Sequence, residues 1–156
     1  MKKARIRTPI GIAELCGDEN GLTSVKVLEE GVVSSEIPEE LKVAVQQFRA
    51  YFQGELKKFD LKLNPSGTDF QKKVWEKLLE IPYGATTSYL KLSRDFGDEK
   101  AIRAVASANA RNPLWIIVPC HRVIGSDGSL TGYAGGLHRK QWLLELENPP
   151  IQQRLF

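Results

Sequence analysis

The hydrophobic period of this chain changes at Asn64-Pro65-Ser66-Gly67, and that change limits what the chain can fold into. Turn residues cluster there, so the sequence reads as two domains, 1–66 and 67–156. Ahead of the break the pattern is β-like. Ile10 and Ile12 alternate with small or polar residues, Gly17-Asp18-Glu19-Asn20-Gly21 reads as a turn, and Leu22 to Leu28 alternates again. Pro38 opens a helix ending near Gly54, with Leu41, Val45, Phe48 and Phe52 on one apolar face; Lys57 to Leu63 is a candidate further strand. Behind the break the period is helical. Thr68 and Gln71 fit a capping box, and the helix they start turns Phe70, Val74, Trp75, Leu78 and Leu79 inward. Ser88 is placed to cap a short helix through Asp95, and Asp98 the next, through about Ala110. With Phe96-Gly97-Asp98 between them, the two have the proportions of a helix-turn-helix. A last helix runs from about Gly136 to Glu147, before Asn148-Pro149-Pro150. The expected fold class is α/β of the α+β kind, a small N-terminal sheet-plus-helix domain joined to a mainly helical C-terminal one.

Composition removes several alternatives. With 13 Gly, 8 Pro and 2 Cys in 156 residues, the chain is no collagen, low-complexity tract or disulfide scaffold. No apolar run approaches the ~18 residues of a spanning helix, and the basic MKKARIRTPIG start is followed by no apolar stretch, so neither membrane span nor secretory signal is expected. Two distant cysteines suit a reducing, cytoplasmic location. The net charge of +3 is unevenly spread: residues 99–140 hold six basic side chains against Glu99 and Asp127. Such an excess permits a polyanionic partner, although a solvated face is its commoner cause.

No acid lies between Lys100 and Arg122. Drawn as a helix, 99–111 puts Ile102, Val105, Ala106 and Asn109 on one face and Lys100, Arg103, Ala104, Ser107, Ala108 and Arg111 on the other. The second face is small in the middle and basic at its edges. A helix of this kind can approach a nucleic-acid groove closely while Arg reaches phosphates or the base stack. Packing through the alanines would give the same periodicity, and the missing acids favour nucleic acid.

Leu114 to Val118 reads as an apolar strand giving way to a turn at Pro119-Cys120-His121-Arg122. A free cysteine is more often structural than reactive, and Cys16, in an apolar strand pattern, reads as a buried small hydrophobe. Cys120 differs, because a turn exposes it and one of the chain's two histidines follows it beside an arginine. An electropositive neighbourhood or a base lowers a thiol from its usual ~8.5 and frees the thiolate nucleophile. Adjacent strand residues point apart, so a Cys–His relay needs a turn or a bridging water. It also needs an acid to orient the imidazole, and Glu145 and Glu147 are both candidates. Cys16, Cys120, His121 and His138 match no zinc spacing, so no metal is expected. Gly132-Tyr133-Ala134-Gly135-Gly136 is neither a phosphate loop nor a dinucleotide fingerprint; it reads as a tight loop able to wall a pocket, and no cofactor is expected.

Over 67–147 these residues resemble the O6-alkylguanine-DNA alkyltransferases, the methylated-DNA–protein-cysteine methyltransferases. The resemblance rests on Gly67-Thr-Asp-Phe-Gln71, Val74-Trp75, Ile81-Pro-Tyr-Gly84, Ser88-Tyr89, Ala101-Ile-Arg-Ala-Val105, Asn112-Pro113, Ile117-Val-Pro-Cys-His-Arg-Val-Ile124, Gly132-Tyr-Ala-Gly-Gly136 and Trp142-Leu-Leu144 with Glu147. Pro-Cys-His-Arg-Val is a highly specific signature, whereas residues 1–66 match only in layout.

The resemblance implies a DNA repair protein whose winged helix-turn-helix-like motif works through the minor groove, largely independently of sequence. It flips an O6-alkylguanine from the duplex and takes the alkyl group irreversibly onto Cys120. By the same resemblance His121 is the base, acting through a water, Glu147 orients it, Asn112 ties the active-site turn to the DNA-binding helix, and Tyr89 rotates the phosphate and assists protonation of the leaving guanine. Arg103 is the finger that fills the gap left by the flipped base. Lys100, Ala104, Ser107, Ala108, Arg111 and Arg122 belong to the DNA surface, and Val123, Tyr133, Ala134 and Gly135 to the lesion pocket. Position 134 is Ala where some members have a Ser that bonds the O6 atom, so backbone N–H groups of that loop would serve instead. No zinc is implied, because the N-terminal half offers only Cys16 and no His. The protein is expected to act as a monomer. A lesion-sensing module with an unreactive Cys120, and an unrelated Cys–His hydrolase, are the competing readings.

Overall fold

The computed structural model describes residues 1–130 and 132–149; Pro150, expected after the last helix, lies outside the described residues. The chain forms two compact units: Met1–Gly67 with Pro113–Ile117, and residues 68–112 with those from 118 onward.

In the first unit three antiparallel strands, β1 (Lys2–Thr8), β2 (Gly11–Asp18) and β3 (Gly21–Leu28), form a meander. Strand alternation buries Ala4, Ile6, Ala13, Leu15, Val25 and Val27, and Ile10 lies in the turn between β1 and β2. A 3-10 turn (Glu39–Leu41), which buries Leu41, leads into α1 (Lys42–Phe52), which buries Ala44, Val45, Phe48 and Tyr51. Tyr51 takes the inward place the spacing gave to Phe52, packing with Phe48 around Phe59 at centroid distances of 5.4 and 5.0 Å. Residues 57–63 do not form the expected strand. Only Leu63 bridges Leu22, and Cys16 is half-buried rather than buried.

The expected strand at 114–118 is also absent. Leu114 makes one parallel bridge to Val25, and the chain then turns, with Ile116 at φ 76°. A β-branched residue in the left-handed region is strained by roughly 1–3 kcal/mol. Ile116 is nevertheless 1% exposed, so its burial offsets the strain.

The second unit starts with α2 (Asp69–Leu78). Its capping box forms as the sequence suggests: Gln71 N donates to Thr68 Oγ1 at 3.1 Å and Thr68 N to Gln71 Oε1 at 3.0 Å. Val74, Trp75 and Leu78 are buried, but Phe70 and Leu79 are exposed. Ser88 caps α3 (Tyr89–Asp95) by accepting from Lys91 N at 3.0 Å. Asp98 caps a 3-10 turn (Glu99–Ala101) through Lys100 N at 2.8 Å, and α4 (Ile102–Ala110) follows directly. Two short strands, β4 (Thr87–Ser88) and β5 (Val123–Ile124), pair in parallel, and α5 (Leu137–Glu147) closes the unit. Among the described residues no helix is long and apolar enough to cross a membrane.

Candidate active site

Cys120, His121 and Arg122 form a 3-10 turn immediately ahead of β5, so the Cys–His geometry is set by a tight turn and not by a strand end. The carbonyl of Val118 anchors that turn, accepting from Cys120 N and from Asn112 Nδ2, both at 2.8 Å. Cys120 is 3% exposed. Burial pushes its thiol up to about 11, against opposing effects of a hydrogen bond with Asn112 and the charge of Lys140. This reverses the expectation of a lowered thiol. At pH 7 only about one such thiol in ten thousand would be ionised, so reaction needs a base at hand and not a standing thiolate.

The candidate base, His121, sits in the same turn, and the acid that meets it comes from α5. Spacing of three and four residues puts Lys140, Leu143 and Glu147 on its buried face, while Glu145 is exposed and accepts from Gln141 Nε2 at 3.1 Å. The choice between the two acids was therefore legible in the helical period of α5. Glu147 Oε2 lies 2.7 Å from His121 Nε2. Burial alone would raise the Glu147 carboxyl; hydrogen bonds and charge from His121 and Arg122 outweigh it and hold the group at about 2. An ionised carboxylate can only accept, so His121 Nε2 carries the proton and donates, leaving Nδ1 as the basic nitrogen. Nδ1 has no hydrogen-bond partner among the described residues. Burial lowers His121 below its ordinary value, with Glu147 opposing and the charges of Arg122 and Lys140 adding to the fall. The ring is accordingly neutral and able to accept a proton.

Arg122 was expected on the DNA surface, and its placement corrects that. It is buried, with Nε donating to Glu147 Oε1 at 2.7 Å and Nη2 to Oε2 at 3.0 Å. Nη1 donates to Ile81 O at 2.7 Å, and the guanidinium lies 5.8 Å from the Tyr83 ring centroid. The Ile81-Pro82-Tyr83-Gly84 segment, read from sequence only as a helix stop, is thus the support of this ion pair. Tyr83 Oη donates to Leu146 O at 3.4 Å, and Gly84 (φ 82°) lies so close that a Cβ there would meet Glu147 O at 3.2 Å.

Lys140 was missed, because lysine is rarely buried. It is fully buried, with Nζ donating to Val123 O at 2.6 Å and, at a long 3.5 Å, to Gly132 O. Burial brings its ammonium down to about 8. Tyr89 Oη reaches the same Gly132 carbonyl at 3.5 Å, so β5, α3 and the 132–136 loop converge there. Val123 is fully buried, Tyr133 half-buried, Gly135 buried and Ala134 exposed. Gly135 O accepts from buried Arg139 at 3.0 Å. Burial raises the Tyr133 hydroxyl well above its ordinary value, with negative charge at Cys120 and Glu147 adding to the rise and Arg139 opposing it.

On α4 and its flanks, Lys100, Arg103, Ala104, Ser107 and Arg111 are exposed. Ala108 is not part of that face: it is 2% exposed, and its carbonyl takes the Trp75 indole N–H of α2 at 2.8 Å. The packing reading of the small residues therefore holds at 108, while 104 and 107 lie on the open face.

Comparison with known proteins gives the family. Family models described as the DNA binding domain and the ribonuclease-like domain of 6-O-methylguanine DNA methyltransferase match residues 69–149 and 1–65. The chain belongs to the 6-O-methylguanine DNA methyltransferase family. A methylated-DNA–protein-cysteine methyltransferase of Methanosarcina acetivorans is 51% identical, with 94% of this chain and 98% of that one covered. The Mycobacterium tuberculosis protein of the same name is 50% identical, covering 97% and 96%. A crystal structure of Mycobacterium tuberculosis OGT in complex with DNA superposes with a TM-score of 0.82 at 50% identity, covering 92% of this chain and 90% of that one. Within this family frame the second unit presents a buried thiol, a neutral imidazole held by a carboxylate, and a small-centred basic helix.

Proposed function

We propose that this protein repairs DNA by direct reversal, as a methylated-DNA–protein-cysteine methyltransferase that acts once per molecule. The observation that carries the reading is the His121–Glu147 pair next to Cys120: a buried imidazole whose Nε2 lies 2.7 Å from a carboxylate and whose Nδ1 meets no partner among the described residues, which leaves Nδ1 as the base. The partner is duplex DNA bound through the minor groove with little sequence preference, its phosphates met by Lys100 and Arg111. Arg103 fills the gap in the stack, while Ala104 and Ser107 let the helix approach. The flipped O6-alkylguanine sits among Val123, Tyr133, Ala134 and Gly135, where backbone N–H groups of the loop serve the O6 atom.

His121 Nδ1 takes the thiol proton through a water, and Glu147 stabilises the imidazolium that forms. The Cys120 sulfur attacks the alkyl carbon in line; the S–C bond forms as the C–O6 bond breaks, and the guanine departs with a proton assisted by the Tyr89 hydroxyl. Asn112 holds the turn that presents Cys120. A thioether has no hydrolytic exit, so the protein is consumed. The chemistry resides in the C-terminal region 67–156, apart from the Pro113–Ile117 segment that belongs to the first unit, and the protein works as a cytoplasmic monomer. The experiment is repair of a duplex carrying one O6-methylguanine: the wild type should restore guanine in the DNA, and Cys120→Ala should bind the duplex and leave the lesion. Repair by Cys120→Ala would contradict the assignment of the nucleophile.

A further inference from the structure

Arg122 acts by its charge on the His121 ring, and the alkyl-transfer steps leave it without a task. We propose that Arg122 is a positioning residue for the base: it fixes Glu147 and offsets its charge, so that His121 rests as a neutral imidazole able to accept the thiol proton. The proposal rests on the alkyltransferase reading and names what sets the base within it.

The geometry is over-determined. All three guanidinium nitrogens are engaged, two on the Glu147 carboxylate and one on Ile81 O, and the Tyr83 ring lies against the group. Glu147 Oε2 is shared, 2.7 Å from His121 Nε2 and 3.0 Å from Arg122 Nη2. Charge counting then decides the state of the ring. Glu147 alone beside a buried imidazole would favour an imidazolium–carboxylate pair. With Arg122 already pairing the carboxylate, the cluster is neutral when His121 is neutral and carries an uncompensated buried charge when it is not. Such a charge costs several kcal/mol.

The other groups around the ring do not reverse this. Lys140 from α5 is a further cation, the Cys120 thiol is neutral at rest, and the hydroxyls of Tyr83 and Tyr133 stay protonated. A ring already protonated at neutral pH could not take the thiol proton, so neutrality at rest is a functional requirement. The bidentate grip also keeps Glu147 from turning away when the imidazolium forms.

The test is single-turnover methyl transfer from a duplex with one O6-methylguanine, followed from about pH 5.5 to 9 for wild type, Arg122→Met and Arg122→Lys. Loss of the positive charge should move the low-pH limb upward by about one pH unit. Arg122→Met would then be slower than wild type by a factor approaching about ten at the acid end of the range, with the gap closing as pH rises above the variant's limb. Arg122→Lys keeps the charge and should return the limb close to its wild-type position. Equal slowing at every pH would overturn the proposal, because lost packing does not move a titration.

Should Arg122→Met fail to fold, the His121 ring of the 15N-labelled wild-type protein decides. A neutral, Nε2-protonated ring at pH 7 is expected, and an imidazolium there would overturn the proposal. Absence of transfer by the wild type at any pH would instead defeat the alkyltransferase reading, and the ring titration compared between wild type and Arg122→Met would still report on Arg122.

Discussion

The six basic residues between positions 99 and 140 divide into two groups of three, and the fold does the dividing. Lys100, Arg103 and Arg111 are exposed on or beside α4; Arg122, Arg139 and Lys140 are buried. An exposed cation keeps its hydration and meets a polyanion at little cost. A buried one loses several kcal/mol of hydration and must be held by fixed acceptors. Here those acceptors are the Glu147 carboxylate and the carbonyls of Ile81, Gly135 and Val123. The same residue types therefore form an open basic face in one place and a buried frame of fixed hydrogen bonds in the other. A count of charges along the chain cannot separate the two roles; burial does.

The largest effect that can break this contrast is at the centre of the buried group. Glu147→Gln removes the carboxylate that pairs Arg122, and should destabilise the protein by on the order of 3 kcal/mol at pH 7, read by urea unfolding. The sign with pH follows from the depressed carboxyl. Its contribution is fully present above the unfolded value of about 4.5 and is lost as pH falls toward about 2, so the gap between wild type and Glu147→Gln should close across that window. A gap that stays constant down to pH 2 would mean that Glu147 is not held ionised by its partners.

At the exposed group the expected effects are on DNA and not on stability. Arg103→Ala should slow repair of a duplex lesion by about a hundredfold, since an unfilled gap raises the cost of base flipping by a few kcal/mol, while reaction with a free O6-alkylguanine base changes little. Equal loss on both substrates would remove the finger role. The smallest effect belongs to Lys100→Ala: duplex affinity should fall by less than about tenfold, and the slope of log affinity against log salt should shrink by about one. An unchanged slope would take Lys100 off the phosphate surface.

Local features of the fold were legible in the sequence, and long-range ones were not. The Thr68–Gln71 box and the Ser88 cap need partners only three residues away, and both formed. Leu114 to Val118 misled because an apolar run looks alike in a strand and in a buried turn. Ala108 was assigned to the open face of α4 because nothing near it reveals that Trp75, 33 residues earlier, docks there. Cys120 and His121 stood out by residue type, but the thiol's elevated state depends on burial that no local pattern encodes. Arg122 read as a DNA contact for the same reason: its partner Glu147 is 25 residues away.

The most direct measurement is the intact mass of the protein after incubation with a short duplex carrying one O6-methylguanine, with peptide mapping of the product. A single gain of one methyl (~14 Da, a net CH₂) located on Cys120, reaching one per protein and never exceeding it, is the predicted result. An unchanged mass while the duplex remains bound would contradict the account, and would make the protein a lesion binder that carries the same fold.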